Sequence, residues 1–181
     1  MSSGLKFVPM PKDIQERIIK IIRAIEREEI DAEYGASFFM NYFVGRLTLI
    51  ADNHPKSEKL HKLAKDQKFA LVVKKPDGYL IKHTAIIGDR INDFEYKAGV
   101  KSREIPAIVF KDVDIFLDVL LNKKEMMQAI AEKKLELTKM SKLLKWMAPI
   151  IALNNKETEK LLERECPILM EKVLDKIEAE L

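Results

Sequence analysis

Apolar residues recur at helical spacing near the start of the chain. Ile14, Ile18, Ile21 and Ile25 follow a proline that suits the first turn of a helix, so one amphipathic helix is predicted there. Asp31 is a candidate N-cap for a second helix in "AEYGASFFMNYF", whose aromatic residues are too apolar for an exposed surface. The second helix is therefore predicted to run into the interior.

The middle of the chain changes to a pattern that is typical of strands. "GRLTLIAD" alternates Leu47 and Leu49 with Thr48 and Ile50, which predicts a first short strand. After a short polar helix in "NHPKSEKLHKLAKDQ", the runs "KFALVVKK" and "YLIKHTAII" flank the turn signal "PDG" and predict a hairpin. Two more short runs, "DFEYKAG" and "AIVF", complete a predicted antiparallel meander.

The final third is predicted to be helical apart from the short edge strand "LELT". Asp112 or Asp114 can cap a helix, "VDIFLDVLL", that is apolar enough to be buried on most sides. An amphipathic helix is predicted from Glu125 to about Lys134. A third helix is predicted to begin with Ser141 as its cap.

Two prolines interrupt this C-terminal helical pattern. Pro149 is predicted to kink the third helix, and the "CP" at Cys166 is predicted to break the charged helical tail that follows Asn155. The tail carries one apolar stripe, with five basic residues against eight acidic ones. Such a tail can fold back over a basic part of the chain or pair with another copy.

The order of these elements resembles the sterol carrier protein family of small sterol- and lipid-binding domains. The resemblance covers roughly residues 43–153, and its most specific part is "AIVFKDVDIFLDVLLNKKEMMQAIAEKKLELTKMSKLLKWM". It implies an α+β fold with an antiparallel sheet of about five strands, one face of which is covered by helices around an apolar tunnel. We accordingly divide a single domain, 1–181, into N-terminal helices at 1–42, this core, and a C-terminal helical extension at 155–181.

The resemblance also implies a function, and the chain differs from the family at two positions. Family members bind sterols, fatty acids, fatty acyl-CoA or phospholipids without transforming them, which implies a non-catalytic protein that binds and can transfer a long apolar molecule. The chain departs from the family at Lys133 and Lys139, where members usually carry glycine on either side of the short strand.

Apolar side chains of the last third would form the wall of the tunnel. Methionine suits such a wall because it is unbranched and polarizable, and four of the eight methionines fall within residues 126–147. The same spacing is typical of an ordinary packed core, and Trp146 fits either a pocket or a core edge. The candidate ligand-binding residues are Phe110, Phe116, Leu120, Met126, Met127, Ile130, Leu143, Trp146, Met147 and Ile150.

Charge is unevenly distributed along the chain. The net charge of +3 is too slight to indicate a nucleic-acid partner. Residues 122–146, however, contain seven lysines and only three glutamates. A basic rim beside an apolar opening suits brief docking on an anionic membrane or contact with a lipid head group, although a solvated helix face has a similar composition. The candidate lysines are Lys123, Lys124, Lys133 and Lys134.

Composition and motifs argue against several other classes of function. With 181 residues, 47% of them hydrophobic and 34% charged, the chain suits one globular domain. The single cysteine precludes an internal disulfide, so a cytoplasmic location is expected, and neither a signal peptide nor a membrane span is predicted.

Residues with catalytic potential do not form a known pattern. The three histidines lack metal-ligand spacing, the glycines are scattered, and "GASFF" lacks the second glycine of a nucleophile elbow. We therefore expect no enzyme, no cofactor and no metal. The alternative to a lipid binder is an interaction or accessory domain with a filled core, which dimerises or binds a partner through its terminal amphipathic helices.

Overall fold

The computed structural model describes residues 7–100, 104–151 and 156–181, so the predicted boundary at 153–155 lies outside the described residues. Within them the chain forms seven helices and five strands. The helices are α1 (Lys12–Glu26), α2 (Ala32–Asp52), α3 (Ser57–Ala64), α4 (Val113–Leu120), α5 (Met126–Ala131), α6 (Met140–Ile151) and α7 (Lys156–Glu178). The strands are β1 (Lys68–Lys75), β2 (Gly78–Ile87), β3 (Phe94–Ala98), β4 (Ala107–Phe110) and β5 (Leu135–Thr138).

The five strands form one sheet in the order β3-β2-β1-β4-β5. The predicted hairpin of β1 and β2 is confirmed, and β3 and β5 also pair with their neighbours in antiparallel orientation. β4, however, pairs with β1 in parallel orientation, so the sheet is mixed and the expectation of a wholly antiparallel sheet was wrong. The chain leaves β3 at one edge and returns to the far side of β1, which reverses the orientation that a meander would give.

The second helix is longer than predicted. Asp31 caps α2 as expected, because its carboxylate accepts the backbone N–H of Tyr34 at 3.1 Å. The predicted strand at Leu47–Ile50 is wrong, since these residues continue α2 to Asp52. Their short alternation is ambiguous, and helical spacing prevails because it buries Phe39, Leu47 and Ile50 on the sheet side of one continuous helix.

The helices of the last third start and end near the predicted residues. Asp112 caps α4 by accepting the backbone N–H of Ile115 at 2.7 Å, and α4 is buried on most sides as predicted. α5 ends at Ala131 rather than near Lys134. α6 begins at Met140, so Ser141 lies in its first turn instead of capping it, and Pro149 lies inside the helix.

Lys133 and Lys139 flank β5 in the left-handed region of backbone conformation. Their φ angles are 60° and 50°, values that glycine adopts without the steric cost of a Cβ atom. The two departures from the family pattern therefore keep the turn geometry that glycine would favour, at a conformational cost to each lysine.

The C-terminal helix α7 runs unbroken through Pro167, so the predicted break at "CP" was wrong. Apolar residues on both sides of the proline pack into the core and hold the helix together despite the missing hydrogen bond of the proline nitrogen. α7 lies against α2 and α1 rather than over the lysine-rich segment, and Arg17 binds Asp175 at 2.6 Å and Glu178 at 2.9 Å. Both terminal helices thus contribute to the same core as the sheet, and residue 43 lies inside α2.

Candidate functional site

An apolar cavity lies between the helix-covered face of the sheet and the side chains of α2, α5 and α6. Its volume is about 60 Å³. The cavity is lined by Phe7, Phe43, Arg46, Leu47, Phe69, Leu71, Ile108, Phe110, Met126 and Met147.

The sheet residues of this wall share one face because strand side chains alternate. In β1, Phe69 and Leu71 point toward the helices, and the parallel register places Ile108 of β4 beside Leu71. Phe110 lies on the same side two residues later and packs edge-on against Phe116 of α4, with ring centroids 5.1 Å apart. The parallel pairing of β1 and β4, which the sequence did not predict, therefore builds the floor of the cavity.

One charged residue interrupts the apolar wall. Arg46 lies inside α2 and is only 5% exposed. Its guanidinium carbon lies 4.5 Å from the centre of the Phe7 ring, a cation–π arrangement. Phe7 also packs against Phe43, with centroids 5.3 Å apart. A positive charge is thus held at the boundary of an otherwise apolar cavity.

Two further polar groups lie next to Arg46 on its buried side. Burial raises the pKa of the Tyr42 hydroxyl and of the Cys166 thiol, and the positive charge of Arg46 opposes both shifts. Both groups therefore stay neutral at physiological pH, and Arg46 is the charged member of the trio. A neutral, buried Cys166 is also a poor nucleophile.

Three of the ten predicted ligand-binding residues line the cavity, namely Phe110, Met126 and Met147. Met127 instead lies on the surface, where it is 55% exposed, and Ile130 is half-buried beside the core. The remaining five are buried in the core outside the cavity lining: Phe116, Leu120, Leu143, Trp146 and Ile150.

Sequence reasoning missed the contribution of the first half of the chain to the cavity. Reading "GRLTLIAD" as a strand separated Arg46 from the helix that buries it. The detectable signal was a lone arginine within "FFMNYFVGRLTLI", a run that otherwise lacks charge. Phe7 gave no such signal, since it lies in a segment without periodicity.

The volume of the cavity limits what it can hold in this conformation. About 60 Å³ is several-fold less than the roughly 300–1,000 Å³ typical of pockets for small molecules. A cavity of this size does not form the apolar tunnel that was expected from the resemblance. Among the lining side chains, Met126 and Met147 are unbranched and can change rotamer, which would enlarge the cavity.

The outside of the molecule has larger but more open depressions. One, of about 340 Å³, lies between α2, α7 and the start of β3 and includes Val44, Phe94 and Leu169. Another, of about 450 Å³, lies where α2 ends and α7 begins. Because both are open to solvent, they would bury less of an apolar ligand than an enclosed cavity does.

The four predicted rim lysines differ in their surroundings. Lys124 forms an ion pair with Glu132 at 2.5 Å, and this hydrogen bond lowers the pKa of the Glu132 carboxyl. Lys123, Lys133 and Lys134 are exposed. The predicted rim therefore carries less available positive charge than its sequence suggests.

A polar cluster near the end of α2 has a structural role. Nδ1 of His61 accepts the backbone N–H of Ile91 at 3.0 Å, while Nε2 lies 2.7 Å from a carboxylate oxygen of Asp52. Arg90 binds Glu58 and Asp52 from outside. Both ring nitrogens of His61 are thus engaged, which leaves neither to act as a base toward a substrate.

Across the described ranges, no group of three His, Cys, Asp or Glu side chains is arranged to hold a metal ion. Nor does any helix in that part of the chain combine the length and apolar character needed to cross a membrane. Comparisons with protein-family models, with curated proteins and with solved structures give no match for this chain.

Proposed function

We propose that the protein binds a long apolar molecule with an anionic end, such as a fatty acid or fatty acyl group, without transforming it. The observation that carries the proposal is Arg46, a buried cation at the wall of an otherwise apolar cavity. A ligand carboxylate would add a charge-assisted hydrogen bond, while its alkyl chain would occupy the apolar part.

Enlargement of the cavity is the second part of the proposal. Met126 and Met147 can repack around a chain because their side chains are flexible, and Phe7 belongs to a segment outside the helices and strands. Each methylene transferred from water to the cavity contributes about 0.8 kcal/mol, so a long chain can offset the work of displacing these side chains. The resemblance to sterol carrier proteins supports the same class of ligand.

The rival function, an interaction domain that uses its terminal helices, has less support. The apolar stripes of α1 and α7 are buried within this chain, where Ile18, Ile22, Leu174 and Ile177 are at most 2% exposed. A partner could use them only after the core had opened. We extend the proposal to a reducing compartment such as the cytoplasm, since the single cysteine is free and buried.

The test compares a fluorescent fatty acid with the fatty alcohol of the same chain length. The natural protein should bind the acid about ten- to hundredfold more tightly, which corresponds to one charge-assisted hydrogen bond. Arg46→Met should bind the two probes equally, because it keeps an apolar side chain but removes the charge. Arg46→Lys should retain part of the preference for the acid.

Arg23→Met provides the control, since Arg23 lies at the surface and pairs with Glu26 and Asp114. It should keep the preference of the natural protein. Thermal melts of every variant show whether a loss of binding reflects unfolding. If the folded natural protein binds neither probe and releases no lipid on solvent extraction, the rival function gains the stronger case.

A further inference from the structure

Two helices from distant parts of the sequence pack side by side at one end of the molecule. α3 precedes the sheet and α6 follows it, and the two are in contact. Their inward residues, Leu60 and Ala64 of α3 and Leu143 and Trp146 of α6, are buried. The residues on the remaining faces of the two neighbouring helices are mostly exposed.

This outer surface combines lysines with exposed leucines. Leu63 of α3 and Leu144 of α6 are each 41% exposed, so both leucines lie on the solvent-facing side of their helices. The exposed lysines around them are Lys59 and Lys62 on α3 and Lys142 and Lys145 on α6.

Few acidic side chains offset the positive charge of these lysines. α6 contains no acidic residue, and Glu58, the acidic residue of α3, is held by Arg90 at 3.0 Å. Within the ranges that the structure describes, Lys59, Lys62 and Lys145 form no ion pair. Lys142 donates to the backbone carbonyl of Glu104 at 3.3 Å and keeps its charge.

We propose that this α3/α6 surface, defined by Lys59, Lys62, Leu63, Lys142, Leu144 and Lys145, docks on an anionic lipid bilayer. Lysines near an anionic bilayer each contribute about 1 kcal/mol, and leucines beside them can enter the boundary between head groups and acyl chains. A nucleic acid would use the lysines but would gain little from the leucines, since base recognition relies on aromatic stacking and hydrogen bonds.

Helix α6 contributes residues both to this surface and to the cavity, on opposite sides of the helix. Met147 lies on the inner side of α6 and lines the cavity, while Lys145 and Leu144 lie on its outer side. Docking would therefore bring one wall of the cavity next to the bilayer. Binding to vesicles can be measured with or without an apolar ligand in the cavity.

The experiment is sedimentation of the full chain with vesicles of phosphatidylcholine, alone or mixed with phosphatidylserine. The natural protein should bind the mixed vesicles and lose most of this binding as salt rises. Lys62→Gln combined with Lys145→Gln should weaken binding about ten- to thirtyfold, at about 1 kcal/mol for each lysine. Leu63→Ser combined with Leu144→Ser should weaken it several-fold at low salt.

Matched controls lie on α1 and α7, outside the α3/α6 surface. Lys12→Gln with Lys20→Gln on α1 removes the same charge from exposed positions, and Ile168→Ser on α7 removes an apolar side chain that is 44% exposed. Both should leave vesicle binding unchanged. Equal binding to the two kinds of vesicle, or equal losses in the controls, would overturn the proposal.

A parallel arm uses a short RNA duplex. Binding to the duplex that depends on Lys62 and Lys145 but not on the two leucines, with no binding to vesicles, would assign the surface to nucleic acid instead. Fatty-acid binding by the same variants is measured separately. Failure of docking with intact ligand binding would overturn this proposal alone.

Discussion

Two regions of the molecule are built in different ways. The scaffold layer, formed by α1, α2 and α7, has fully buried apolar residues and pairs Arg17 with Asp175 and Glu178. The segment α5, β5 and α6, which contributes Met126 and Met147 to the cavity wall, has the exposed Met127 and is flanked at β5 by two lysines in left-handed conformation. The difference teaches that α1 and α7 serve the stability of the fold and α5 and α6 provide the adaptable side chains, while α2 belongs to both regions because Phe43, Arg46 and Leu47 line the cavity.

The largest expected effect comes from removing residues 156–181. The helix α7 buries Leu162, Met170, Leu174 and Ile177, each at most 2% exposed. At about 1.5–3 kcal/mol each, their loss amounts to roughly 6–12 kcal/mol, comparable to the whole stability of a typical domain. The truncated chain should therefore fail to fold cooperatively in a thermal melt followed by circular dichroism.

This result would correct a division of the chain that treats residues 155–181 as an appendage. Removing only residues 179–181, which are exposed, serves as the control and should leave the melt unchanged. A truncated chain that melts cooperatively near the natural temperature would show that α7 is not part of the scaffold layer.

A smaller effect should separate the two regions by overpacking. Met170→Phe in the scaffold layer should cost about 1–3 kcal/mol, because Met170 is fully buried. Met126→Phe in the cavity wall should stay within about 1 kcal/mol, because its side chain borders empty volume. Denaturant melts measure the free energy of unfolding of both variants.

Overpacking of the cavity wall should also affect ligand binding. Met126→Phe should weaken binding of a fluorescent fatty acid at least several-fold, since the larger ring takes up volume that the ligand needs. Met147→Phe is expected to do the same. Equal destabilisation by Met126→Phe and Met170→Phe would mean that the wall is packed as tightly as the scaffold.

The stability of the protein should depend on pH through His83 of β2. His83 of β2 is buried, and desolvation lowers the pKa of its imidazole, while the carboxylate of Glu33 partly opposes this shift. Its folded-state pKa thus lies below the unfolded value of about 6.5, so the unfolded chain binds the proton more readily. Stability should be full above about pH 6.5 and fall as the pH drops below it.

Replacing this histidine isolates its contribution. In His83→Leu, the fall in the free energy of unfolding between pH 7 and pH 5 should be smaller than in the natural protein. An identical pH profile for His83→Leu and the natural protein would exclude His83 as the source.

The smallest expected effect concerns the turn before β5. Lys133→Gly should be neutral or stabilise the protein by up to about 1 kcal/mol, because glycine relieves the left-handed backbone at φ 60°. Lys134→Gly is the matched control and should destabilise by about 0.5–1 kcal/mol, since the chain gains flexibility without losing strain. Urea melts measure both; a destabilising Lys133→Gly would contradict the assignment of strain to this turn.

Sequence patterns predicted local features better than features that depend on distant contacts. The caps at Asp31 and Asp112 and the hairpin of β1 and β2 follow from neighbouring residues, and all are confirmed. The parallel pairing of β4 with β1 depends on where a long connection returns, which no local pattern specifies. The continuity of α7 at Pro167 likewise depends on packing against α1 and α2.

The cavity could be predicted only in part for the same reason. Met126, Met147 and Phe110 lie in the segment whose apolar spacing suggested a wall. Arg46 and Phe7 join them from elements that are distant in sequence, and misreading the end of α2 as a strand hid the buried charge. A lone charged residue in an apolar run therefore carries more information about a site than the apolar residues around it.

Under the proposed function, the Phe7 ring competes with the ligand for the cavity. Its ring already occupies the place beside Arg46 and Phe43 that a ligand would take. The measured affinity is then the intrinsic affinity multiplied by the fraction of molecules whose ring has moved away. The observed rate of binding should level off at high fatty-acid concentration, at the rate of ring departure, and Phe7→Ala should remove this plateau. Movement of the Phe7 ring would thus set the rate of ligand uptake.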